Sequence, residues 1–359
     1  MKELYNKPEI KPIVEIIKWK SCPFCLEDIS THTENICRNL LDREIPIPME
    51  FIVKIKERTP VIFLFTIGYP YHGKTQFLSH FFYEIIRQLP RIWQKDGYSY
   101  SALNQETFDA FEKTYIGSIE KGKVPERTAS VIPIPMILHL ENLPSDFKFK
   151  EIILICQDYP GEYCENQDSM KTASYLLVNI DQPIILFSLV DSLEGNSWMG
   201  KNIRKEGTID GHLQSLINKY YNAMIESGLT KNDIKMKKKP IIVFSKVDLF
   251  WKDKKTEQKF GPLGEFGPLG EQKYFKQDSL SKNSSKFRKE YLHDMIDFSN
   301  SIKEFVEHTY PQTYNFAISK FNDINFVALS SMEKVGMPDP KRILDPFWFL
   351  LMNENLISK

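Results

Sequence analysis

Residues 68–75 read GYPYHGKT, and this spacing of glycine, lysine and threonine suits a polyphosphate. Gly68 and Gly73 let the backbone curl until successive N–H groups point at one anion, and a helix starting at Lys74 would add its positive end. Lys74 would bridge the β- and γ-phosphates, and Thr75 would hold Mg²⁺. The remaining candidate contacts of this phosphate loop (residues 68–75) and the position after it are Tyr71, His72 and Gln76.

The flanking sequence supplies the elements that such a loop needs. The apolar run at residues 59–67 predicts a buried strand. After the loop, apolar pairs recur every four residues, which predicts an amphipathic helix that ends at Pro90. A chance match to the four fixed positions would lack this context, so we interpret the stretch as a true phosphate loop. The helix positions are Phe77, Leu78, Phe81, Phe82, Ile85, Ile86 and Leu89.

A second predicted strand also ends in groups that suit a nucleotide. The apolar run from Ile152 to Cys156 is followed by Asp158 and Gly161 at D-x-x-G spacing. Asp158 could hold a Mg²⁺-bound water, and the Gly161 N–H could bind a γ-phosphate and release it after hydrolysis. Thr128 lies in a polar loop and could place its hydroxyl on Mg²⁺, but loop threonines more often only turn the chain.

A third predicted strand end indicates which base is bound. Residues 237–250 read KKKPIIVFSKVDLF and close in Ser245, Lys246 and Asp248. The Asp248 carboxylate can accept from N1–H and the N2 amino group of guanine, whereas adenine offers neither donor there. The aliphatic stem of Lys246 would cover the ring. A later predicted strand, 324–331, would present backbone N–H groups to the guanine O6. Those groups belong to Ala328, Leu329, Ser330 and Ser331.

The N-terminal segment contains a candidate zinc site. Cys22 and Cys25 have the C-x-x-C spacing of a zinc knuckle, and Cys37 could supply a third thiolate. A tetrahedral site needs four ligands, so His32 would have to be the fourth. The alternative is a knuckle-like turn of buried thiols without metal. Bound zinc would support folding or docking rather than catalysis.

Composition and charge limit the function classes. The 47 basic and 47 acidic residues give a net charge of zero, so general nucleic-acid affinity is not indicated. No apolar run reaches the ~18 residues of a membrane span, and the first residues lack the core of a secretion signal. We expect a cytoplasmic protein that does not contact a membrane.

One stretch departs from this balance. Residues 231–290 hold 16 Lys or Arg and 8 Asp or Glu, and within them residues 252–285 repeat GPLGE in a polar context. We interpret 252–285 as a flexible surface insertion. The alternative is a basic surface that docks an acidic partner.

The ordered motifs cover roughly residues 59–355 and resemble those of P-loop GTPases of the translation-factor and Ras-like (TRAFAC) class. CPFC, GKVPERT, DYPGE and DPFWFLL together resemble the bacterial double-GTPase proteins of the second type. The resemblance implies a three-layer α/β/α fold with a mostly parallel central sheet at residues 51–359, after a zinc-ribbon-like cysteine segment at 1–50. It implies GTP or GDP and Mg²⁺ as ligands, with a protein partner or second GTPase in signalling or conflict (defence) systems.

Three positions bear on hydrolysis within that resemblance. Ser245 stands where the family has asparagine, so we expect a looser link between base and phosphate loops. Glu162 stands where Ras-like enzymes have a water-orienting glutamine, and its carboxylate would repel a γ-phosphate unless it acted as a base. Arg127, beside Thr128, could stabilise transition-state charge in cis, although most such arginines are surface residues.

Two functions from different classes remain open. The first is a GTP-hydrolysing switch with slow turnover, whose loops at Thr128 and Gly161 order on GTP. The second is a nucleotide-holding adaptor with negligible turnover, which docks partners through the cysteine segment and the basic insertion. An ATPase is a weaker third, because Asp248 argues against adenine.

Overall fold

A seven-stranded sheet organises the structure, a computed structural model that describes residues 21–40, 43–123, 132–172, 174–189, 209–250, 263–270, 272–275, 285–334 and 337–357. The strands are β1 (Ile36–Cys37), β2 (Ile45–Pro46), β3 (Val61–Ile67), β4 (Ser99–Ala102), β5 (Met136–Glu141), β6 (Glu151–Asp158), β7 (Ile184–Ser188), β8 (Ile241–Ser245), β9 (Asn325–Ala328), β10 (Ser330–Lys334) and β11 (Met337–Lys341). The order across the central sheet is β4–β5–β6–β3–β7–β8–β9. Within this sheet, as far as the described residues show it, β5 runs antiparallel to its neighbours β4 and β6, and the other pairs are parallel.

Helices cover both faces of this sheet. Those in the described ranges are α1 (Met49–Lys56), α2 (Lys74–Tyr83), α3 (Leu89–Ile92), α4 (Gln105–Phe111), α5 (Gly117–Glu120), α6 (Gln167–Thr172), α7 (Ser174–Asn179), α8 (Ile209–Glu226), α9 (Lys231–Lys237), α10 (Ser285–Thr309), α11 (Pro311–Lys320) and α12 (Asp345–Asn353). Because strand side chains alternate, Leu64 of β3 packs in one apolar cluster with α2 and α12, while Phe65 packs in the other with α8 and α11. The predicted three-layer α/β/α fold with a mostly parallel sheet is confirmed.

The helix after the phosphate loop does not end at Pro90 as predicted. α2 continues through a π turn, Glu84–Gln88, into α3, and the Leu89 N–H donates to the Glu84 carbonyl. Pro90 therefore lies in the first turn of α3, where a missing N–H is tolerated. The sequence also predicts a helix around Gln105 to Glu120, and this helix is present as α4, a π turn and α5.

The described part of the predicted surface insertion packs into the core instead. Leu269 and Phe275 are buried, and the Tyr274 ring stacks on Phe298 of α10 with centroids 4.5 Å apart. Arg342 donates to the Tyr274 carbonyl at 2.9 Å. These contacts hold residues 263–270 and 272–275 against the domain, and the rest of 252–285 lies outside the described residues.

Asp345 followed by Pro346 predicts a helix start with an aspartate cap. The last helix, α12, does begin at Asp345 with Pro346 in its first turn, but Asp345 is not its cap. The N-cap position belongs to Leu344, which caps through no side chain. The Asp345 carboxylate instead accepts hydrogen bonds from Arg342 Nε at 2.6 Å and from the Tyr291 hydroxyl. It closes a buried network between α10 and α12.

The N-terminal cysteine segment lies against the central sheet. Phe24 and Leu26 are buried in the same apolar cluster as Phe65 and Ile155. None of the helices in the described ranges has the length and apolar character that crossing a bilayer demands.

Candidate nucleotide site

The phosphate loop follows β3, which lies where the strand order reverses. The strands β4 to β6, which come next in the chain, lie on one side of β3, and β7 to β9 lie on the other. β3 pairs with β6 on one side and β7 on the other, and ligands bind open α/β sheets at such switch points. A Cβ at Gly68 would lie 2.5 Å from the Leu186 carbonyl oxygen, so only glycine fits there. Tyr71 and Gly73 have φ values of 67° and 85°. Left-handed residues of this kind turn N–H groups into an anion-binding concavity.

Lys74 folds back over the loop. Its Nζ donates to the Gly68 carbonyl at 2.7 Å and to the Tyr69 carbonyl at 2.9 Å, and the residue is buried. The ammonium is therefore centred over the loop's own backbone. A bound polyphosphate would meet this charge where the loop N–H groups converge.

The end of β6 brings a carboxylate beside the loop. Asp158 is the register partner of Thr66 of β3, and the Thr66 hydroxyl donates to Asp158 Oδ1 at 3.2 Å. Thr75 lines the same cavity as Asp158. Two of the three predicted Mg²⁺ residues, Thr75 and Asp158, thus lie together. Thr66 was not predicted, and its only sequence signal is a hydroxyl in an otherwise apolar strand.

Gly161 presses directly on the phosphate loop. A Cβ at this position would lie 2.5 Å from Pro70 N and 2.8 Å from Lys74 Nζ. Any side chain would push the loop and the segment after β6 apart. Glu162, the next residue, lines the cavity between them.

One cavity of about 290 Å³ joins three of the predicted motifs. It is lined by Pro70, Tyr71, Gly73, Lys74, Thr75, Gln76, Asp158, Pro160, Gly161, Glu162 and Lys246. A larger cavity of about 520 Å³ opens beyond Thr75 and Asp158 and is lined mainly by apolar side chains. The smaller cavity has the donor groups that a phosphate needs.

The base loop (residues 245–248) is tied to the phosphate loop. Ser245, at the end of β8, is buried, and its hydroxyl donates to the His72 carbonyl at 2.8 Å. Ser245 therefore links the base loop to the phosphate loop, and the expectation that asparagine would link them more tightly stays a prediction. Lys246 adopts a left-handed φ of 59° and lines the cavity.

Asp248 is oriented by Ser330, for which the sequence predicted only a backbone contact with the base. The Ser330 hydroxyl donates to Asp248 Oδ1 at 2.6 Å, and both residues are buried. This bond fixes one carboxylate oxygen. Ser331 lies in β10, and its side chain is not among those described.

His72 contributes no side chain to the cavity. The Ser188 N–H donates to its Nδ1 at 3.2 Å, and the ring packs between Tyr69 and Phe187. Burial, with the charges of Lys74 and Lys246, lowers the pKa of His72 well below its ordinary value. The imidazole is thus neutral and packs on the side of the loop away from the cavity. Any contact of His72 with a nucleotide would therefore be made by its backbone. Arg127 and Thr128 lie outside the described residues.

No family model matches the chain. No curated protein matches it either. Among solved structures it is similar to the S. cerevisiae Ski7 GTPase-like domain bound to GTP, with 15% identity and a TM-score of 0.35, and to the same domain bound to GDP and inorganic phosphate, with 15% identity and a TM-score of 0.34. Each match covers 86% of this chain and 53% of the other, so the chain spans about half the length of those structures.

The four predicted zinc ligands meet in the N-terminal segment. One donor atom from each of Cys22, Cys25, His32 and Cys37 lies within 4.8 Å of the others, and Cys25 Sγ is 3.2 Å from His32 Nε2. Ligand atoms of a tetrahedral zinc–thiolate site are about 3.8 Å apart, so this cysteine cluster fits the metal. Hydrogen bonds from Cys22 and Cys25 lower the pKa of Cys37, which favours a thiolate there.

Proposed function

We propose that this chain binds Mg²⁺-GTP and hydrolyses it slowly as a molecular switch. The observation that carries the proposal is the single cavity that joins the phosphate loop, Asp158 with Gly161, and Lys246 of the base loop. A phosphate-binding loop alone would not select a base. The adjoining Asp248–Ser330 pair supplies a fixed acceptor, and guanine offers it two donors.

Each residue has a role in this proposal. The loop N–H groups and Lys74 bind the β- and γ-phosphates, while Thr75 and Asp158 hold Mg²⁺ directly or through water. The Gly161 N–H meets the γ-phosphate, and Glu162 lies beside the attacking water. Mg²⁺ would neutralise charge that develops on the phosphate oxygens. Thr128 and Arg127 remain proposed contributors on sequence grounds.

Calorimetry with GTP, GDP and ATP in the presence of Mg²⁺ tests this proposal. We expect GTP and GDP to bind and ATP to bind at least about tenfold more weakly, because Asp248 leaves adenine N1 opposite an acceptor. Lys74→Ala should weaken GTP binding about 10- to 100-fold through loss of a charge-assisted contact. Lys113→Ala, an exposed lysine, is the matched control. Absence of heat with guanine nucleotides would refute the proposal.

The adaptor function is the second candidate, and the position of Glu162 favours it. Its carboxylate lines the cavity where a neutral glutamine would orient water. Phosphate release by purified protein separates the two. Turnover abolished by Lys74→Ala supports the switch, whereas tight GTP binding with no release above background supports the adaptor.

We also propose that the cysteine cluster holds Zn²⁺, whose binding would supply folding energy to the segment. The fit of Cys22, Cys25, His32 and Cys37 supports it. Metal analysis of protein purified without chelator should find about one zinc per chain, and Cys22→Ser with Cys25→Ser should abolish it. Cys164→Ser, at a buried thiol outside the cluster, should not. Wild-type protein without zinc would end this proposal.

On the resemblance noted above, we place the switch in bacterial signalling or conflict systems, in the cytoplasm, with a protein partner or second GTPase. Recovery of a GTP-dependent partner from the native host would support this context.

A further inference from the structure

Lys219 of α8 lies where the phosphate loop meets the chain that follows β6. Its Nζ donates to the Glu165 carbonyl at 2.8 Å, the Cys164 carbonyl at 3.3 Å and the Tyr69 hydroxyl at 3.3 Å. The ammonium also lies 5.0 Å from the centroid of the Tyr69 ring. An ammonium has three donors, and these three acceptors use all of them.

This placement is more specific than that of a surface lysine. Burial lowers the pKa of Lys219, so the charge is held against a desolvation penalty. No carboxylate compensates it within salt-bridge distance among the described residues; two backbone carbonyls and a phenol do so instead. Those acceptors belong to two pieces of chain that flank the proposed γ-phosphate position.

The segment that Lys219 anchors begins at Gly161. Residues 161–164 form one 3₁₀ turn, and Glu165 ends it. At the start of this turn Gly161 presses on Pro70, and at its end Lys219 joins Cys164 and Glu165 to Tyr69. The 161–165 segment is therefore hydrogen-bonded through Lys219 at its end, whereas its start at Gly161 is in close contact with Pro70.

We propose that Lys219 is a positioning residue that sets how strongly the protein distinguishes GTP from GDP. The inference rests on the proposed function. A γ-phosphate must draw the Gly161 N–H toward itself, and the anchor at Lys219 leaves only the start of the segment to be ordered. Without the anchor, the whole segment is ordered when GTP binds, and that conformational entropy opposes binding. GDP lacks the γ-phosphate that would meet the segment, so its affinity should depend much less on Lys219.

Calorimetry with a non-hydrolysable GTP analogue and with GDP tests the proposal on Lys219→Met. We expect the GTP-analogue affinity to fall about tenfold, within the usual range of coupling between sites, and the GDP affinity to stay within about twofold. Lys219→Arg should recover part of the loss, because a guanidinium keeps the donors. Lys171→Met is the control. Lys171 is an exposed lysine of α6, and it pairs with Glu226 of α8, the helix that also carries Lys219.

Tyr69→Phe serves as a second variant if Lys219→Met does not fold, since it removes one acceptor and keeps the ring. It should lower the ratio of GTP-analogue to GDP affinity in the same direction by a smaller factor. Wild-type protein that binds neither nucleotide overturns the proposed function and this inference together. Wild-type protein that binds both, with variants whose affinity ratio is unchanged, overturns the inference and leaves the proposed function standing.

Discussion

At the residue scale, base selection depends on Asp248. Asp248→Asn replaces an acceptor with a donor opposite the purine 2-position, where xanthine has a carbonyl instead of an amino group. We expect GTP affinity to fall about 100-fold and XTP affinity to rise, because two charge-assisted hydrogen bonds are lost and one new bond forms. Competition of GTP and of XTP against a fluorescent nucleotide analogue measures the two affinities. Equal competition against the variant would contradict the assignment.

A substitution of Ser330, which orients the Asp248 carboxylate, also tests the base site. Ser330→Ala removes the 2.6 Å hydrogen bond that orients Asp248. A hydrogen bond to a charged group contributes about 1.5 kcal/mol, so GTP should bind about tenfold more weakly. ATP affinity should not change. Ser301→Ala, at an exposed hydroxyl on α10, should leave both affinities at the wild-type value.

Residue types and spacing predicted much of this site because each motif is local in sequence. GYPYHGKT, DYPG and SKVD each place their polar groups within eight residues of a strand end, and parallel strands bring those ends together. The roles of Thr66 and Lys219 could not be predicted from the sequence. Thr66 acts through a strand pairing and Lys219 through a helix contact, and neither partner is near in sequence.

At the element scale, α2 carries a buried histidine that makes the fold sensitive to acid. Burial lowers the pKa of His80 to about 4, below the ordinary 6.5. Between these values the unfolded chain binds more protons, so stability is fully present above pH 6.5 and is lost as the pH falls toward 4. From pH 7.5 to 5, wild type should lose about 2 kcal/mol more unfolding free energy than His80→Leu.

Urea denaturation at the two pH values measures that difference. Val53→Leu is the control, because Val53 is exposed and neither side chain titrates, so this variant should keep the wild-type pH dependence. Parallel slopes for wild type and His80→Leu would show that His80 is not the group that titrates.

Apolar periodicity found the main elements but not their irregularities. The predicted end at Pro90 failed because a π turn places the proline at a new helix start, and no local pattern marks such a turn. The GPLGE repeat predicted a solvated loop on composition. Leu269 is nevertheless buried, since its burial depends on α10, which follows it in the chain.

At the scale of the whole molecule, one buried ion pair joins distant parts of the chain. Arg288 Nε and Nη2 donate to the two Asp146 carboxylate oxygens at 2.7 Å each, across 142 positions of sequence. Arg288→Met leaves the Asp146 charge buried and unpaired, so we expect a loss of about 3–5 kcal/mol in unfolding free energy.

Chemical denaturation measures this loss, with Arg38→Met as the control. Arg38 pairs with Glu44 on the surface, and exposed pairs contribute about 1 kcal/mol or less. Adding Asp146→Asn to Arg288→Met should recover part of the stability, because the uncompensated charge is removed. A loss below about 1 kcal/mol for Arg288→Met alone would show that the pair does not hold these regions together.

The strand order has a consequence for synthesis. β3 precedes both of its sheet neighbours, and its partner β6 begins at Glu151, some 84 residues after Ile67. At 5–20 residues per second, the ribosome makes that stretch in roughly 4–17 s. Throughout that interval the nascent chain presents VIFLFTI with both edges unsatisfied. Translation pauses between residues 67 and 151 should therefore raise the demand for chaperones more than pauses placed after residue 188.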